Sequence, residues 1–174
     1  MIVTNDISLR AVEPSDVQTM YQWENQMELW TVGNTLTPFS KAVLEKYVKH
    51  ATLDIYQTKQ LRLMIDAREN ESMVTIGMID LFDFDPYHSR AGVGILINQK
   101  HRNKGYAGIA LTLFIDYCFS HLGLHQLYCH INADNEPSQR LFESHGFVQT
   151  GIRKDWRKIK NGYIDELVYQ RINQ

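Results

Sequence analysis

Apolar and polar residues alternate from Ile7 to Ala11, with Ile7, Leu9 and Ala11 set against Ser8 and Arg10, and this predicts a first strand. The period then lengthens. Pro14-Ser15-Asp16 opens a helix through Trp23, with Val17, Met20 and Tyr21 along one side. After a break at Gly33-Asn34, Ser40 caps a second helix running to about Ile55. Leu61–Ile65, Met73–Phe84 and Ala91–Asn98 read as three strands joined by short polar turns, an antiparallel meander. From Gly105 to Leu122 the spacing of Ala107, Ala110, Leu111, Phe114, Tyr117 and Cys118 is helical, and the narrow polar side predicts a mostly buried helix ended by Gly123. Leu127, Cys129 and Ile131 alternate as a short strand, and Asn135-Glu136-Pro137 opens another helix that ends at Gly146. Phe147–Trp156 and Tyr163–Ile172 flank Asn161-Gly162, the strongest hairpin signal in the chain. The order β-α-α-β-β-β-α-β-α-β-β predicts one mixed, largely antiparallel α/β sheet flanked by helices.

Length and charge narrow the picture. The 174 residues suit a single domain over 1–174, and 44% apolar residues suffice for one continuous core. With 18 basic against 20 acidic residues the net charge is −2, which excludes a protein that grips nucleic acid through overall charge. The longest purely apolar run, Ala91–Ile97, falls far short of the roughly 20 residues that span a bilayer. The first residues carry no basic stretch followed by an apolar one, so a cytoplasmic protein without a membrane partner is expected. Cys118 and Cys129 have no CxxC or metal-ligand spacing and read as two buried, reduced thiols, with no metal site implied.

The chemistry concentrates where the strand ending in Ile95-Leu96-Ile97-Asn98 enters the buried helix through Arg102-Asn103-Lys104-Gly105-Tyr106-Ala107. A helix N-terminus has amide N–H groups without intrahelical partners and a positive partial charge. It therefore suits an anion, and small residues let a phosphate approach the backbone. Gly105 and Ala107 are small, while Arg102 and Lys104 add formal charge; a plain strand-to-helix turn with solvated basic residues is the alternative.

Arg102-x-x-Gly105-x-Ala107 after an apolar strand resembles the acetyl-CoA pyrophosphate loop of the GCN5-related N-acetyltransferases (GNATs). Three further segments resemble that family in the right order. They are Ile7–Arg10 with Pro14-Ser15-Asp16, the stretch from Asn132 through Asn135 and Leu141 to Gly146-Phe147, and the closing hairpin Lys160–Asp165. The hairpin is similar to that of the branch containing ribosomal-protein N-terminal and spermidine acetyltransferases. The resemblance implies acetyl-CoA as cosubstrate and a small-molecule or peptide N-terminal amine as acceptor, in a monomer or homodimer. It further implies that backbone groups of Ile95, Leu96 and Ile97 meet the pantetheine arm. The pyrophosphate would lie on the amides of Arg102, Asn103, Lys104, Gly105, Tyr106, Ala107 and Gly108, and Asn135 would contact the pantetheine side.

The family pattern breaks at one place. Many members carry a tyrosine in the helix after that Asn, placed to protonate the leaving thiolate; the matching residue is Phe142, which has no proton to give. Phe142 is thereby expected beside the cofactor, and two functions stay open. One is acetyl transfer by direct attack of an amine in a ternary complex. The other is a non-catalytic CoA-binding sensor that keeps the pocket. For the base, alternation places Asp83 and Asp85 on one face with Leu81 and places Asp80 with Phe82 on the other; Asp83 is the first candidate and Glu28 the second. Leu29–Thr37 contains no acid, and none occurs between Glu28 and Glu45, which argues against a polyamine acceptor, while the Asp80, Asp83 and Asp85 cluster weighs the other way. A protein N-terminal amine, an amino acid or a small amine such as an aminoglycoside stays open.

Overall fold

A computed structural model describes every residue except Asn5 and Asn34, together with the side chains of Thr31 and Val32. Part of the break expected at Gly33-Asn34, and part of the acid-free Leu29–Thr37 stretch, therefore lie outside the described residues. The strands are β1 (Ile2–Val3), β2 (Ile7–Ala11), β3 (Leu61–Glu69), β4 (Ser72–Asp85), β5 (Arg90–Ile97), β6 (Gln126–Asn132), β7 (Val148–Ile159) and β8 (Gly162–Ile172). They form one sheet in the order β1-β2-β3-β4-β5-β6-β8-β7, antiparallel at every step except β5 to β6. The helices are α1 (Val17–Glu24), α2 (Met27–Gly33), α3 (Lys41–His50), α4 (Ile55–Thr58), α5 (Tyr106–Asp116) and α6 (Glu136–Ser144). Among the described residues, no helix is long and apolar enough to cross a membrane.

The mixed sheet is as the residue pattern predicts; the element count is not. Strand β1 is too short to show a period, and α2 begins three residues past α1 with no cap signal of its own. The helix expected from Ser40 to about Ile55 stops at His50, and a separate short helix begins only at Ile55. Ser40 accepts from the Val43 amide to start α3, and Asp54 accepts from the Gln57 amide to start α4. The long helix expected to Leu122 is α-helical to Asp116 and finishes in a π-type turn over Tyr117–His121.

Two apolar layers hold the sheet. On one face α5 and α6 press Ala110, Leu111, Phe114 and Phe142 against Ile79, Leu81, Leu127 and Tyr169. On the other, Met20 and Trp23 of α1 and Leu44 of α3 pack on Met64 and Met78. A charged clamp fixes the second layer's entry. Arg10 of β2 bonds Asp16, before α1, at 2.7 and 2.8 Å, and reaches Asp66 of β3 at 2.7 Å.

Candidate active site

The functional geometry begins with an interrupted ladder. The parallel pairing of β5 with β6 comprises Arg90↔Gln126, Ala91↔Leu127 and Gly92↔Tyr128, and then stops. Beyond that point β5 continues bonded to β4 as far as Gly77↔Ile97, and β6 continues bonded to β8 as far as Asn132↔Glu166. The two strands thus diverge and, among the described residues, leave their facing edges without ladder partners. Ile95 and Leu96 are half-buried along this opening, and Ile97 is buried at its end.

Both helices that follow these strands start at the open end. The chain leaves β5 through a short 3-10 turn, and Arg102 turns back so that its Nε–H donates to the Ile97 carbonyl at 2.9 Å. Asn103 (φ 61°) and Gly105 (φ 81°) both adopt left-handed backbone, which aims the first amides of α5 out of the helix. The Gly108 and Ile109 amides donate to the Gly105 carbonyl, and the amides ahead of them precede the helical ladder. A Cβ on Gly105 would meet no atom within 4 Å, so its surroundings are open. This arrangement suits an anion held by backbone, with small residues at the point of approach. The formal charges are partly committed: Lys104 pairs with Glu69 at 2.9 Å, and the same carboxylate oxygen lies 3.0 Å from the His101 ring.

Asn135 caps α6, its side-chain oxygen accepting from the Ser138 amide at 3.3 Å. His145, absent from the sequence reading, ties the two helices together. One ring nitrogen is 3.0 Å from the Gly108 carbonyl and the other 2.7 Å from the Leu141 carbonyl. No periodic signal marks it, because it sits past the last turn of α6 and acts across the chain. Phe142 is 3% exposed, and its ring packs edge-to-face on Phe147 at 5.0 Å, so the structure places it in the core beside α5.

On the face of the sheet opposite α5, an open cleft of about 570 Å³ lies across the point of divergence. Its walls include Asp83, Tyr128, His130 and Arg153. The expected alternation fails here. The β4–β5 register shifts between Phe82 and Asp85, and Asp83 takes left-handed backbone (φ 49°). Leu81 and Phe84 are therefore both in the core while Asp83 is exposed, which corrects the grouping of Asp83 with Leu81. Asp83 accepts from the Tyr128 hydroxyl at 3.3 Å. Burial, then the charge of Asp83, pushes Tyr128 up to about 12, so it remains a donor at neutral pH. Burial, then Arg153, pushes His130 down from the usual histidine range, which favours a neutral ring. Tyr128 and Arg153 were not singled out from sequence; the alternation of β6 marks Tyr128 as facing away from the core, but nothing local brings it to Asp83.

The other acids are engaged or remote. Asp80 accepts from Arg62 at 2.6 and 2.8 Å, and Glu24 accepts from the same guanidinium at 2.5 Å. Asp85 pairs with Arg90 at 3.2 Å. Glu28 is exposed on α2 and lies outside the residues that line the cleft. Cys118 and Cys129 are free and buried, and burial pushes both thiols far up from the ordinary cysteine range, away from nucleophilic use.

Residues 6–148 match the family described as Acetyltransferase (GNAT) domain. Over 176 residues the chain is 27% identical to a spermidine N(1)-acetyltransferase of Vibrio cholerae, covering 96% of this chain and 97% of that one. A ribosomal-protein-serine acetyltransferase of Escherichia coli is 22% identical, over 98% of this chain and 94% of its own. The crystal structure of spermidine N-acetyltransferase from Vibrio cholerae in complex with CoA and spermine superposes with a TM-score of 0.87 at 25% identity, covering 97% and 96% of the two chains.

Proposed function

Because the chain belongs to the GNAT acetyltransferase family and is an N-acetyltransferase, we propose that it moves the acetyl group of acetyl-CoA to a primary amine by direct attack in a ternary complex. The observation that carries this reading is the three-pair ladder that opens beyond Gly92 and Tyr128, with the N-terminus of α5 at its open end. The backbone edge at Ile95, Leu96 and Ile97 suits the pantetheine arm, and the amides from Asn103 to Ala107 suit the pyrophosphate, those of Arg102 and Gly108 being donated to the Gln99 and Gly105 carbonyls. Asn135 stands at the mouth of α6 on the same side. The cleft holding Asp83 lies on the opposite face and receives the acceptor.

The acceptor enters as an ammonium ion and has to lose a proton before its nitrogen can attack. Asp83, whose partner among the described residues is the Tyr128 hydroxyl, takes that proton directly or through water; Glu28 is the second candidate. The nitrogen lone pair then adds to the thioester carbonyl, the C–S bond breaks, and the thiolate departs. The products are the acetamide, CoA thiol and one proton overall. A thiol with a reference pKa of about 8.5 leaves without strong assistance, so the phenylalanine at 142 is compatible with turnover. The buried, high-pKa thiols support direct transfer without an acyl-enzyme. Two free thiols also suit a cytoplasmic setting.

A thiol-release assay with acetyl-CoA and a panel of amines, spermidine included, tests the reading alongside calorimetry of CoA. Turnover with any amine supports it, whereas tight binding without turnover across the panel favours a CoA-binding sensor. Asp83→Asn is expected to lower kcat/KM by roughly 10²–10⁴-fold with CoA affinity unchanged; full activity would remove Asp83 as the base.

A further inference from the structure

The acceptor cleft carries a charge of each sign that its surroundings do not fully balance. On the β4–β5 wall, Asp85 is matched by Arg90 at 3.2 Å, whereas Asp83 is bonded to the neutral Tyr128 hydroxyl. On the β7–β8 wall, one carboxylate faces two guanidinium groups. Glu166 is 1% exposed; Arg157 engages its Oε2 at 2.7 and 2.6 Å, and Arg153 engages its Oε1 at 2.9 Å through a single N–H. Two cations against one anion leave a surplus positive charge on that wall. Arg153 lines the cleft and stacks on Trp156, and among the described residues its other N–H groups have no protein acceptor. A guanidinium fixed by a buried carboxylate and an aromatic face, with donors left over, is preorganised for a planar anion. The neutral His130 ring adds no charge to the floor between the two walls.

From this charge pattern we infer that the acceptor is a zwitterion, a small amine that also bears a carboxylate, whose ammonium group meets Asp83 and whose carboxylate meets Arg153. The inference rests on the acetyl-transfer reading above and names its substrate class. A polyamine satisfies Asp83 but brings further positive charge toward Arg153 and Arg90, and like-charge juxtaposition disfavours it.

The test is a thiol-release panel of α- and ω-amino acids of increasing chain length, each matched to its carboxamide, with spermidine and a simple monoamine alongside. At least one amino acid is expected to exceed its carboxamide at least tenfold in kcat/KM, and to exceed spermidine. Arg153→Gln is expected to raise KM for that amino acid about tenfold or more, leaving KM for acetyl-CoA and for the carboxamide unmoved, with Arg153→Lys recovering part of the loss. Glu166 keeps both contacts from Arg157 in these variants, and thermal melts check the fold. Spermidine, the monoamine or the carboxamides matching or outperforming every amino acid overturns the inference while leaving acetyl transfer intact. So does an equal loss on amino acid and carboxamide in Arg153→Gln, and so does acetyl-CoA binding without turnover of any amino acid. Failure of the underlying reading looks different: no thiol release from any amine, spermidine and the monoamine included, whether or not acetyl-CoA binds.

Discussion

Phe142 packs on Phe147 with 3% of its surface exposed, so a hydroxyl added to its ring enters the apolar core. Phe142→Tyr is expected to lose about 1–3 kcal/mol of stability and to leave kcat within roughly twofold. Denaturant melts and steady-state rates from about pH 6 to 10 decide this, and a rise in kcat with an altered high-pH limb would instead place the new hydroxyl at the thioester sulfur. The cysteines make a second residue-scale case. Burial holds both thiols protonated, so replacing Cys118 and Cys129 together by Ala is expected to lower the melting temperature while kcat persists. Loss of turnover in a folded double variant, with an acyl-enzyme seen in the parent, would reverse the direct-attack mechanism.

At the scale of elements, the loop before α5 depends on a backbone conformation more than on any side chain. Gly105 has φ 81° in open space, so a β-branched substituent strains the chain without colliding with it. Gly105→Val is expected to weaken CoA binding by roughly 5- to 150-fold, because re-aiming the first amides costs about 1–3 kcal/mol. Gly105→Asn, whose side chain tolerates left-handed backbone, should bind more nearly like the parent. Calorimetry that finds Gly105→Val equal to the parent in a folded protein removes the phosphate loop. Gly77 is constrained by close approach instead: a Cβ there would stand 2.2 Å from the Leu96 carbonyl oxygen, which is main chain and cannot swing away. Gly77→Ala is therefore expected to force β4 from β5 where β5 borders the opening, costing about 1–3 kcal/mol or more in chemical denaturation.

Across the whole molecule, acid should unfold the protein through its buried charge network. Burial by itself would raise Asp16, but the bonds from Arg10 and the Glu13 amide outweigh it and hold the carboxyl below its usual value of 3.8. A carboxyl depressed on folding stabilises fully above its unfolded value and loses that contribution as the pH falls through the folded one. His130, also depressed, prefers its neutral form in the fold, so stability should already decline as the pH drops below 6.5. Melts across pH 3 to 8 are expected to show both declines. Asp16→Asn should remove the lower one at a cost of about 1–3 kcal/mol at neutral pH, and an unchanged acid limb in that variant would take Asp16 out of the network.

Local pattern determined the strands and helices that carry a long, regular period, the Asn161-Gly162 hairpin, and the anion-suited entry to α5, because these follow from alternation, caps and glycine geometry within a few residues. The family resemblance was legible for the same reason, its motifs being short and in order. Tertiary structure decided the rest. The bulge that turns Asp83 out of Leu81's face arises in the pairing of β4 with β5, not in the order of residues along β4. The opening beyond Gly92 and Tyr128 exists because β5 and β6 keep their outer partners after losing each other. Asp83 meets Tyr128 across 45 positions of chain, and Arg153 joins that cleft from beyond α6. Charges so far apart in sequence show no periodicity, and only the register of the sheet determines which carboxylates keep their charge for a ligand.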